Sequence, residues 1–366
     1  MNIVSKVINR LELEKCKIEH YRVGKKFDAT LEEAYKRLEL FSSNPKTSCY
    51  RADEKMIIRG GGAEYDLSVI VPVYNTEVFL KRCIDSIVDQ NSGYRVQCLI
   101  INDGSSDDSE KILSNYENCE GITVINQNNK GFSGARNTGL DLIEGRYIMF
   151  VDSDDRLTMM AIKNLLDVAF QYNADVVAGN YRTVDENGRP CKEYKKYSLQ
   201  EVKPEGSLYG MPWGKVYKAE LFKNLRFPEK YWYEDSIFAQ IVWPLTKSAY
   251  TISEIVYEYT INPKGITLKS LKKPKSIDSL YITEQLLKDR KKFGLTPTEE
   301  NFAYFLRMVR ITYGRTQRCN GVITKCIFIV QCHLYKYYEG IQIKEYKDLQ
   351  MALKNQDFIK YLKAVL

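Results

Sequence analysis

The feature that most constrains how this chain can fold is a regular alternation of apolar runs and amphipathic segments between residues 66 and 181. LSVIVPVY (67–74) is a continuous run rich in β-branched residues, which is typical of a parallel strand buried on both faces. Further strands of this kind are predicted at 96–103, 122–127, 146–152 and 174–181. Segments with apolar residues at helical spacing separate them, at 76–90, 105–116, 131–143 and 159–172. The alternation predicts an open α/β sheet, largely parallel, with helices on its faces.

The segments that flank this pattern are predicted to be helical. We expect an N-terminal helical extension over residues 1–65, an α/β domain over 66–270 and a C-terminal helical region over 271–366. The C-terminal helices are predicted at 274–293, 297–318, 321–338 and 343–365. A polar stretch at 183–198 predicts a hairpin or a loop, with Asn187-Gly188 as its turn.

The net charge of +7 is concentrated towards the C-terminal end of the chain. From Thr260 to Leu366 there are 20 basic and 9 acidic residues. Such a segment suits a phosphorylated substrate, an anionic membrane or a nucleic acid, and it equally suits a set of solvated helix faces. The 27 tyrosines are more typical of packing than of a stacking track for single strands, so no nucleic-acid partner is expected.

The sequence predicts a cytoplasmic protein. Its first 21 residues contain no apolar core of signal-peptide length, and no run of 18 apolar residues occurs anywhere. Nine cysteines are scattered without a CxxC pair, which favours free thiols in a reducing compartment. Because basic residues near the C-terminus can touch lipid head groups, a peripheral position at the inner membrane face is a further expectation.

Polar groups follow the predicted strands at the points where the strands end. In open α/β sheets, ligands bind beyond the carboxyl ends of the strands, so these groups are candidates for one shared site. Four groups of this kind occur, at 72–75, 102–104, 128–131 and 152–155. The last places Asp152, Asp154 and Asp155 within four positions, a crowding of charge that cations or hydrogen bonds must offset.

These groups do not include a glycine-rich loop for phosphate. The first strand is followed by PVYNTEVF, which lacks the glycine triplet of a dinucleotide-binding fold, and no GxxxxGKS loop occurs. A diphosphate at this edge therefore needs another source of positive charge. Mn²⁺ or Mg²⁺ held by Asp152 and Asp154 would supply it, because these cations combine a few carboxylates with phosphate oxygens. The alternative is that the carboxylates cap the following helix.

Several blocks of the sequence resemble, in the same order, the family-2 inverting glycosyltransferases of bacterial polysaccharide synthesis. The blocks are IVPVYN, INDGSSDDS, NNKGFSGARNTGLDLIEGRYIMFVDSDD and YEDSIF. They cover about residues 66–260. The resemblance implies a GT-A-type, Rossmann-like mixed sheet, mostly parallel and flanked by helices.

The resemblance also implies which residues bind the donor. Residues 72–75 and Asp103 would hold the uracil and the ribose, and Arg136 would lie near the nucleotide or its phosphates. Within the DxD element, Asp152 would face the ribose or the sugar, and Asp154 would bind the metal that bridges the diphosphate. The implied donor-binding set is Pro72, Val73, Tyr74, Asn75, Asp103, Arg136, Asp152 and Ser153.

The catalytic and acceptor residues are implied in the same way. Asp235 of YEDSIF matches the catalytic base and Glu234 lies beside it, so that one of the two is the base and the other a salt-bridge partner. Trp213 and Lys215 fall in a loop near the sugar and the acceptor, with Trp213 as a stacking face.

A last implied element is a loop that closes on the diphosphate, matched here by INPKGIT after Tyr259. Many relatives carry an Arg or His and a Ser in this loop. Asn262, Lys264 and Thr267 stand in their place, and Lys264 and Thr267 are the diphosphate candidates.

The resulting expectation is an inverting hexosyl- or N-acetylhexosaminyl-transferase that acts in cell-surface polysaccharide synthesis. It would move a single sugar from a UDP-sugar to a glycan or lipid-linked saccharide and would depend on Mn²⁺ or Mg²⁺. The alternative is a catalytically idle scaffold on the same fold that binds a glycan or a nucleotide. Retention of Asp152, Asp154 and Asp235 favours the enzyme.

Overall fold

The structure is a computed structural model that describes residues 3–52, 64–262 and 273–365. The chain forms two compact units. The sheet unit comprises residues 47–230 and 234–265. The helical unit comprises residues 1–46 and 266–366 together with the short segment Tyr231–Tyr233.

Ten strands of the described residues form one mixed sheet. They are β1 (Tyr65–Val73), β2 (Val96–Asn102), β3 (Ile122–Asn126), β4 (Gly145–Phe150), β5 (Arg156–Leu157), β6 (Val176–Val184), β7 (Pro190–Tyr194), β8 (Gln200–Glu201), β9 (Lys215–Lys218) and β10 (Ala249–Thr260). Their order in the sheet is β3-β2-β1-β4-β9-β6-β10-β5, with β7 paired to β6 and β8 to β10. The pairs β3–β2, β2–β1, β1–β4 and β6–β10 are parallel and have the longest registers, and the other five pairs are antiparallel. This confirms the mixed α/β sheet with parallel strands at its core.

Eleven helices accompany the sheet in the described residues. They are α1 (Ile3–Lys26), α2 (Leu31–Phe41), α3 (Glu77–Val88), α4 (Ser109–Leu113), α5 (Gly131–Leu140), α6 (Ala161–Gln171), α7 (Asp278–Lys292), α8 (Glu299–Thr316), α9 (Gly321–Tyr335), α10 (Lys347–Lys354) and α11 (Phe358–Val365). Shorter turns lie at Pro204–Ser207, Ala219–Phe222, Phe238–Val242, Trp243–Leu245, Pro274–Ile277 and Lys336–Tyr338. None of the helices in the described residues is long and apolar enough to cross a membrane.

The apolar periodicity explains how the sheet unit packs. Consecutive residues of β1, including Val69 and Ile70, are fully buried, as a strand covered on both faces requires. On α3, Leu80, Cys83 and Ile84 are buried at helical spacing and belong to the same apolar core as β1. The packing therefore follows the two periods that the sequence displays.

The helix predicted at 105–116 is shorter in the structure, where α4 covers Ser109–Leu113. The preceding residues make hydrogen bonds that hold them in a loop instead. The Ser106 amide donates to Asn75 Oδ1 at 2.8 Å, and the Asp108 amide donates to Glu77 Oε2 at 2.8 Å. Because these contacts are long-range, they leave no signal in the local periodicity.

Two strands in the middle of the sheet, β9 and β10, come after residue 181, where the regular alternation of strands and helices in the sequence ends. β9 is antiparallel to both β4 and β6 and separates them, and β10 pairs with β6. The stretch at 183–198 is a hairpin, formed by β6 and β7 with a turn that closes on Asp185. β10 brings the chain back to the strand edge that carries the acidic residues.

The helical unit contains the predicted N- and C-terminal helices. A capping box begins α2, because Thr30 accepts from the Glu33 amide while Glu33 accepts from the Thr30 amide. The helix predicted at 343–365 is divided into α10 and α11, since Gln356 has a left-handed φ of 54° that ends the first helix. Three consecutive glycines at 60–62 favour a hinge before the α/β domain, and they lie outside the described residues.

Candidate active site

The ends of β1 and β2 meet through Asn75. Its backbone has a φ of 53°, a left-handed conformation that Asn tolerates better than most residues. The Asn75 amide donates to Ser105 Oγ at 3.1 Å, and its side-chain oxygen accepts from Ser106. Of the neighbouring candidates, Val73 is buried and Tyr74 is 52% exposed. The loop therefore presents Tyr74 to solvent on a fixed backbone.

Asp103 joins the ends of β2 and β3 to the start of α5. It is buried, and its Oδ1 accepts from the Lys130 amide at 2.8 Å and from Gln127 Nε2 at 2.6 Å. The first three of the four predicted polar groups thus lie together at the carboxyl edge of the sheet, as the sequence predicts.

Arg136 connects the acidic loop to the YEDSIF segment. This arginine lies on α5, and its side chain is 7% exposed. Its Nη2 contacts Asp152 Oδ1 at 2.7 Å and its Nη1 contacts Glu234 Oε1 at 2.7 Å. Burial alone would lower the pKa of the Arg136 guanidinium, but Asp152 and Glu234 raise it above its ordinary value. Burial raises the pKa of Glu234 to about 7, against the opposing effect of Arg136.

The three crowded aspartates have different surroundings. Asp155 is buried and accepts from the Tyr257 hydroxyl at 2.8 Å and from the Thr260 amide at 2.7 Å. The Tyr257 hydroxyl also accepts from the Asp152 amide at 3.1 Å, so this residue of β10 holds the acidic loop in place. Burial raises the pKa of Asp155 well above its ordinary value, and the charges of Asp154 and Asp152 add to this. Asp155 is therefore an anchor of the loop.

Asp154 is the remaining carboxylate, which neither Arg136 nor Tyr257 contacts. Its Oδ2 accepts from Asn262 Nδ2 at 3.0 Å, directly after the end of β10. Burial raises the pKa of Asp154, and the charge of Asp152 contributes in the same direction. A carboxylate held in this way favours a nearby cation.

The residues fit a divalent cation that is also bound by phosphate. Among the residues that the structure describes, no three His, Cys, Asp or Glu side chains converge into a complete cage for a metal ion. Mg²⁺ and Mn²⁺ accept one or two carboxylates when substrate phosphates and water fill the other positions. Asp154 can supply one such ligand, with Asp152 beside it but already bound to Arg136.

Arg82 is a residue of the site that the sequence analysis missed. It lies on α3 and donates through Nη2 to the Asp154 carbonyl at 3.3 Å and to Thr260 Oγ1 at 2.8 Å. Its Nη1 donates to the Glu186 carbonyl at 2.8 Å. In the same acidic loop, Ser153 Oγ accepts from Thr76 Oγ1 at 3.0 Å. Arg82 thus joins the acidic loop, β10 and the β6–β7 hairpin, and because Lys81 and Asp85 lie on the same amphipathic helix, nothing in the sequence distinguishes Arg82 from an exposed helix residue.

Trp213 and Lys215 differ from the expectation of an open sugar-binding surface. Trp213 is 6% exposed and stacks on Tyr257 with a centroid distance of 4.6 Å and an interplanar angle of 7°. Lys215 is buried, and its Nζ donates to the Met211 carbonyl at 2.9 Å and the Trp213 carbonyl at 3.1 Å. The Trp213 ring is thus packed on β10, where a stacking face is expected, and Lys215 binds carbonyl groups of its own loop. Lys264 and Thr267 lie outside the described residues.

The burial of Lys215 predicts a specific pH dependence of stability. Burial lowers its pKa to about 7. An unfolded lysine titrates near about 10.4, so between these pH values the unfolded chain binds the additional proton and stability rises with pH. The free energy of unfolding of the wild type minus that of Lys215→Met should therefore increase from about pH 7 to about pH 9 in urea titrations. Lys218→Met, on the same strand but at a less buried lysine, should show no such increase, and an equal slope for both variants would contradict the assignment.

The mixed sheet with its flanking helices and its acidic carboxyl edge corresponds to a GT-A fold. The crystal structure of TarS 1-349 from S. aureus in complex with UDP-GlcNAc has this fold, with a TM-score of 0.62. The two share 20% sequence identity, and the similarity covers 82% of this chain and 90% of TarS 1-349.

The sequence comparisons match glycosyltransferases. The Glycosyl transferase family 2 model matches residues 68–229, which are less than half of the chain. The glycosyltransferase GlyA of Streptococcus pneumoniae serotype 4 is 35% identical over 221 residues, which are 55% of this chain and 31% of GlyA. The GalNAc(5)-diNAcBac-PP-undecaprenol beta-1,3-glucosyltransferase of Campylobacter jejuni is 32% identical over 176 residues, 45% of this chain and 56% of that protein. The chain thus spans between about a third and just over half of these relatives.

Proposed function

We propose that this protein transfers a single sugar from a UDP-sugar to a saccharide or lipid-linked saccharide, with inversion at the anomeric carbon. The contact that carries the proposal is the Arg136 bridge, which brings the acidic loop at Asp152 next to the segment containing Glu234 and Asp235. Donor-binding and catalytic carboxylates must lie this close for one transfer site. The sugar moved would be a hexose or an N-acetylhexosamine, in cell-surface polysaccharide synthesis at the inner face of the membrane.

Relatives support the choice of substrates. TarS 1-349 of S. aureus binds UDP-GlcNAc in its crystal structure, which supports a UDP-sugar donor. The Campylobacter jejuni relative is named as a glucosyltransferase for GalNAc(5)-diNAcBac-PP-undecaprenol, which supports a lipid-linked saccharide as acceptor. On this proposal, Tyr74 and Asn75 face the uracil side of the donor, and Asp103 fixes the backbone around it.

Asp235 is the proposed general base. Glu234 is bound to Arg136 and so serves as the ion-pair partner, while Asp235 stands at the position in YEDSIF that matches the catalytic base. Asp235 takes the proton of the acceptor hydroxyl. The oxygen of that hydroxyl bonds to the anomeric carbon from the face opposite UDP. The bond from this carbon to the diphosphate breaks, and UDP leaves with the electron pair. One displacement inverts the centre, so an α-linked donor gives a β-glycoside.

The charge of the leaving diphosphate is the second requirement of the reaction. A bound Mn²⁺ or Mg²⁺ would neutralise this charge, with Asp154 as its protein ligand. Asn262 and Arg82 orient Asp154 through its side chain and its backbone carbonyl, respectively. Arg136 holds Asp152 beside it through the contact at 2.7 Å.

Loss of the Asp154 carboxylate should remove the cation. In the presence of UDP, Asp154→Asn should bind Mn²⁺ more weakly by at least the roughly 10- to 100-fold that loss of an outer-shell partner costs a metal site. Electron paramagnetic resonance of free Mn²⁺ measures this directly. The control is Asp167→Asn on α6, which removes a carboxylate that accepts a hydrogen bond from Tyr94. This variant should bind Mn²⁺ like the wild type. Equal Mn²⁺ affinity in both variants would exclude Asp154 as the ligand.

The proposed function is tested by UDP release from a panel of UDP-sugars with lipid-linked and free saccharide acceptors. We expect turnover of at least one donor with Mn²⁺ and none with EDTA. The anomeric proton coupling of the product, measured by NMR, should show inversion. A retained configuration would contradict the single-displacement mechanism, and UDP binding without turnover of any donor would indicate the idle scaffold.

A further inference from the structure

The segment Tyr231–Tyr233 belongs to the helical unit although it lies between two parts of the sheet unit in the sequence. The next residues along the chain are Glu234 and Asp235, the ion-pair partner and the proposed base. The backbone conformation of Tyr231–Tyr233 therefore sets how the chain enters the catalytic pair.

Each residue of this segment is held by a different part of the helical unit. The Tyr231 hydroxyl donates to Asn44 Oδ1 at 3.0 Å. The Trp232 amide donates to Asp278 Oδ2 at 2.8 Å, at the first residue of α7. The Arg315 guanidinium of α8 lies 3.4 Å from the centroid of the Tyr233 ring.

The hydrogen bond to Trp232 is made by a well-defined acceptor. The Asp278 carboxylate is fully buried, and its Oδ2 also contacts Lys275 Nζ at 2.8 Å. Lys275 in turn lies over the Trp232 ring, 5.9 Å from its centroid. Asp278 and Lys275 thus hold both the backbone and the side chain of Trp232.

The backbone of this segment is also in an uncommon conformation. Tyr233 has a φ of 67°, in the left-handed region that a bulky aromatic residue rarely adopts. Such conformations persist only where the surroundings over-determine them, and they cluster at functional sites. The contacts from Asp278 and Arg315 supply that constraint on either side of the Trp232–Tyr233 peptide bond.

We propose that Asp278 and Arg315 are positioning residues for catalysis, which hold Tyr231–Tyr233 so that Asp235 meets the acceptor hydroxyl. This inference rests on the proposed function. Displacement of a base by about 1 Å can cost roughly 100-fold in rate, so loss of the contacts should lower kcat by about 10- to 100-fold. Donor binding involves other residues and should not change.

The chain offers a matched control in the same helix. Asp289 is, like Asp278, fully buried and paired with a lysine three positions away, Lys292, at 2.9 Å. We expect Asp278→Ala to lower kcat with unchanged donor KM, while Asp289→Ala loses stability without this loss of kcat. Asp278→Asn retains an oxygen that can accept from Trp232 and should recover most of the rate. Arg315→Met should also lower kcat with an unchanged donor KM. It replaces Asp278→Ala in the test if Asp278→Ala does not fold.

Two readouts separate this inference from the proposed function. If the wild type turns over a donor and kcat of the folded Asp278→Ala and Arg315→Met variants equals that of Asp289→Ala, the positioning role is wrong. If the wild type turns over no donor, the proposed function fails, and hydrogen exchange then decides the inference. Amides of residues 231–236 should exchange faster in Asp278→Ala than in Asp289→Ala, and equal exchange would overturn the proposal.

Discussion

Replacement of Asp235 by Asn should lower kcat for sugar transfer by roughly 10²- to 10⁴-fold, the usual contribution of a positioned general base. The amide cannot take the proton of the acceptor hydroxyl, whereas the donor-binding residues stay in place. UDP affinity in the presence of Mn²⁺ should therefore remain close to that of the wild type. Steady-state kinetics on the preferred donor, together with titration calorimetry of UDP, measure the two quantities separately.

Glu234→Gln is the comparison that assigns the base. Glu234 contacts Arg136 at 2.7 Å, so this variant should weaken the ion pair but leave the proton acceptor on Asp235. We expect it to retain more activity than Asp235→Asn. If instead Glu234→Gln is inactive and Asp235→Asn retains most of its kcat, the roles of the two carboxylates are reversed.

Replacement of Arg136 by Met should destabilise the protein by about 3–5 kcal/mol, because it leaves buried charge without its partner. Asp152 and Glu234 would then share the site with no cation between them. Without Arg136 the pKa of Glu234 should rise further, since burial and the charge of Asp235 raise it and the opposing effect of Arg136 is lost. Because the folded state then binds protons more tightly than the unfolded chain, the loss of stability should be smaller at about pH 5 than at about pH 8.

Urea unfolding at the two pH values measures both effects. Arg226→Met is a suitable control, because Arg226 has the same 7% side-chain exposure but pairs with a half-exposed carboxylate, Asp141, at 2.6 Å. Its removal should cost less and depend less on pH. Equal losses for the two variants, or a loss at Arg136 that grows as the pH falls, would contradict the bridging role.

The parts of the fold that the sequence predicts are those with local signals. The β1 run LSVIVPVY is apolar on both faces, and the strand ends bring Asn75 and Asp103 to one edge by topology alone. β10 was not predicted, since it carries polar residues such as Glu258 that are buried only because arginines from other strands pair with them. Local periodicity does not encode such pairs.

The candidate site shows the same limit. Residue types and strand ends indicate that Asp152 and Asp154 need a positive partner. They do not indicate that Arg136 joins Asp152 to Glu234, which lies 98 residues after Arg136. Likewise, aromatic and basic residues after Pro212 suggest a sugar-binding surface, whereas Trp213 packs on Tyr257. Contacts between residues so far apart in the sequence depend on tertiary packing, which a local sequence pattern does not encode.

The most direct test of the central claim is calorimetric titration of UDP into the wild-type chain, with Mn²⁺ and with EDTA. The proposed site predicts one UDP bound per chain with Mn²⁺ and much weaker binding with EDTA, because Asp152 and Asp154 would otherwise face the diphosphate without a cation. Absence of UDP binding under both conditions would contradict the assignment of this acidic edge as a UDP-sugar site.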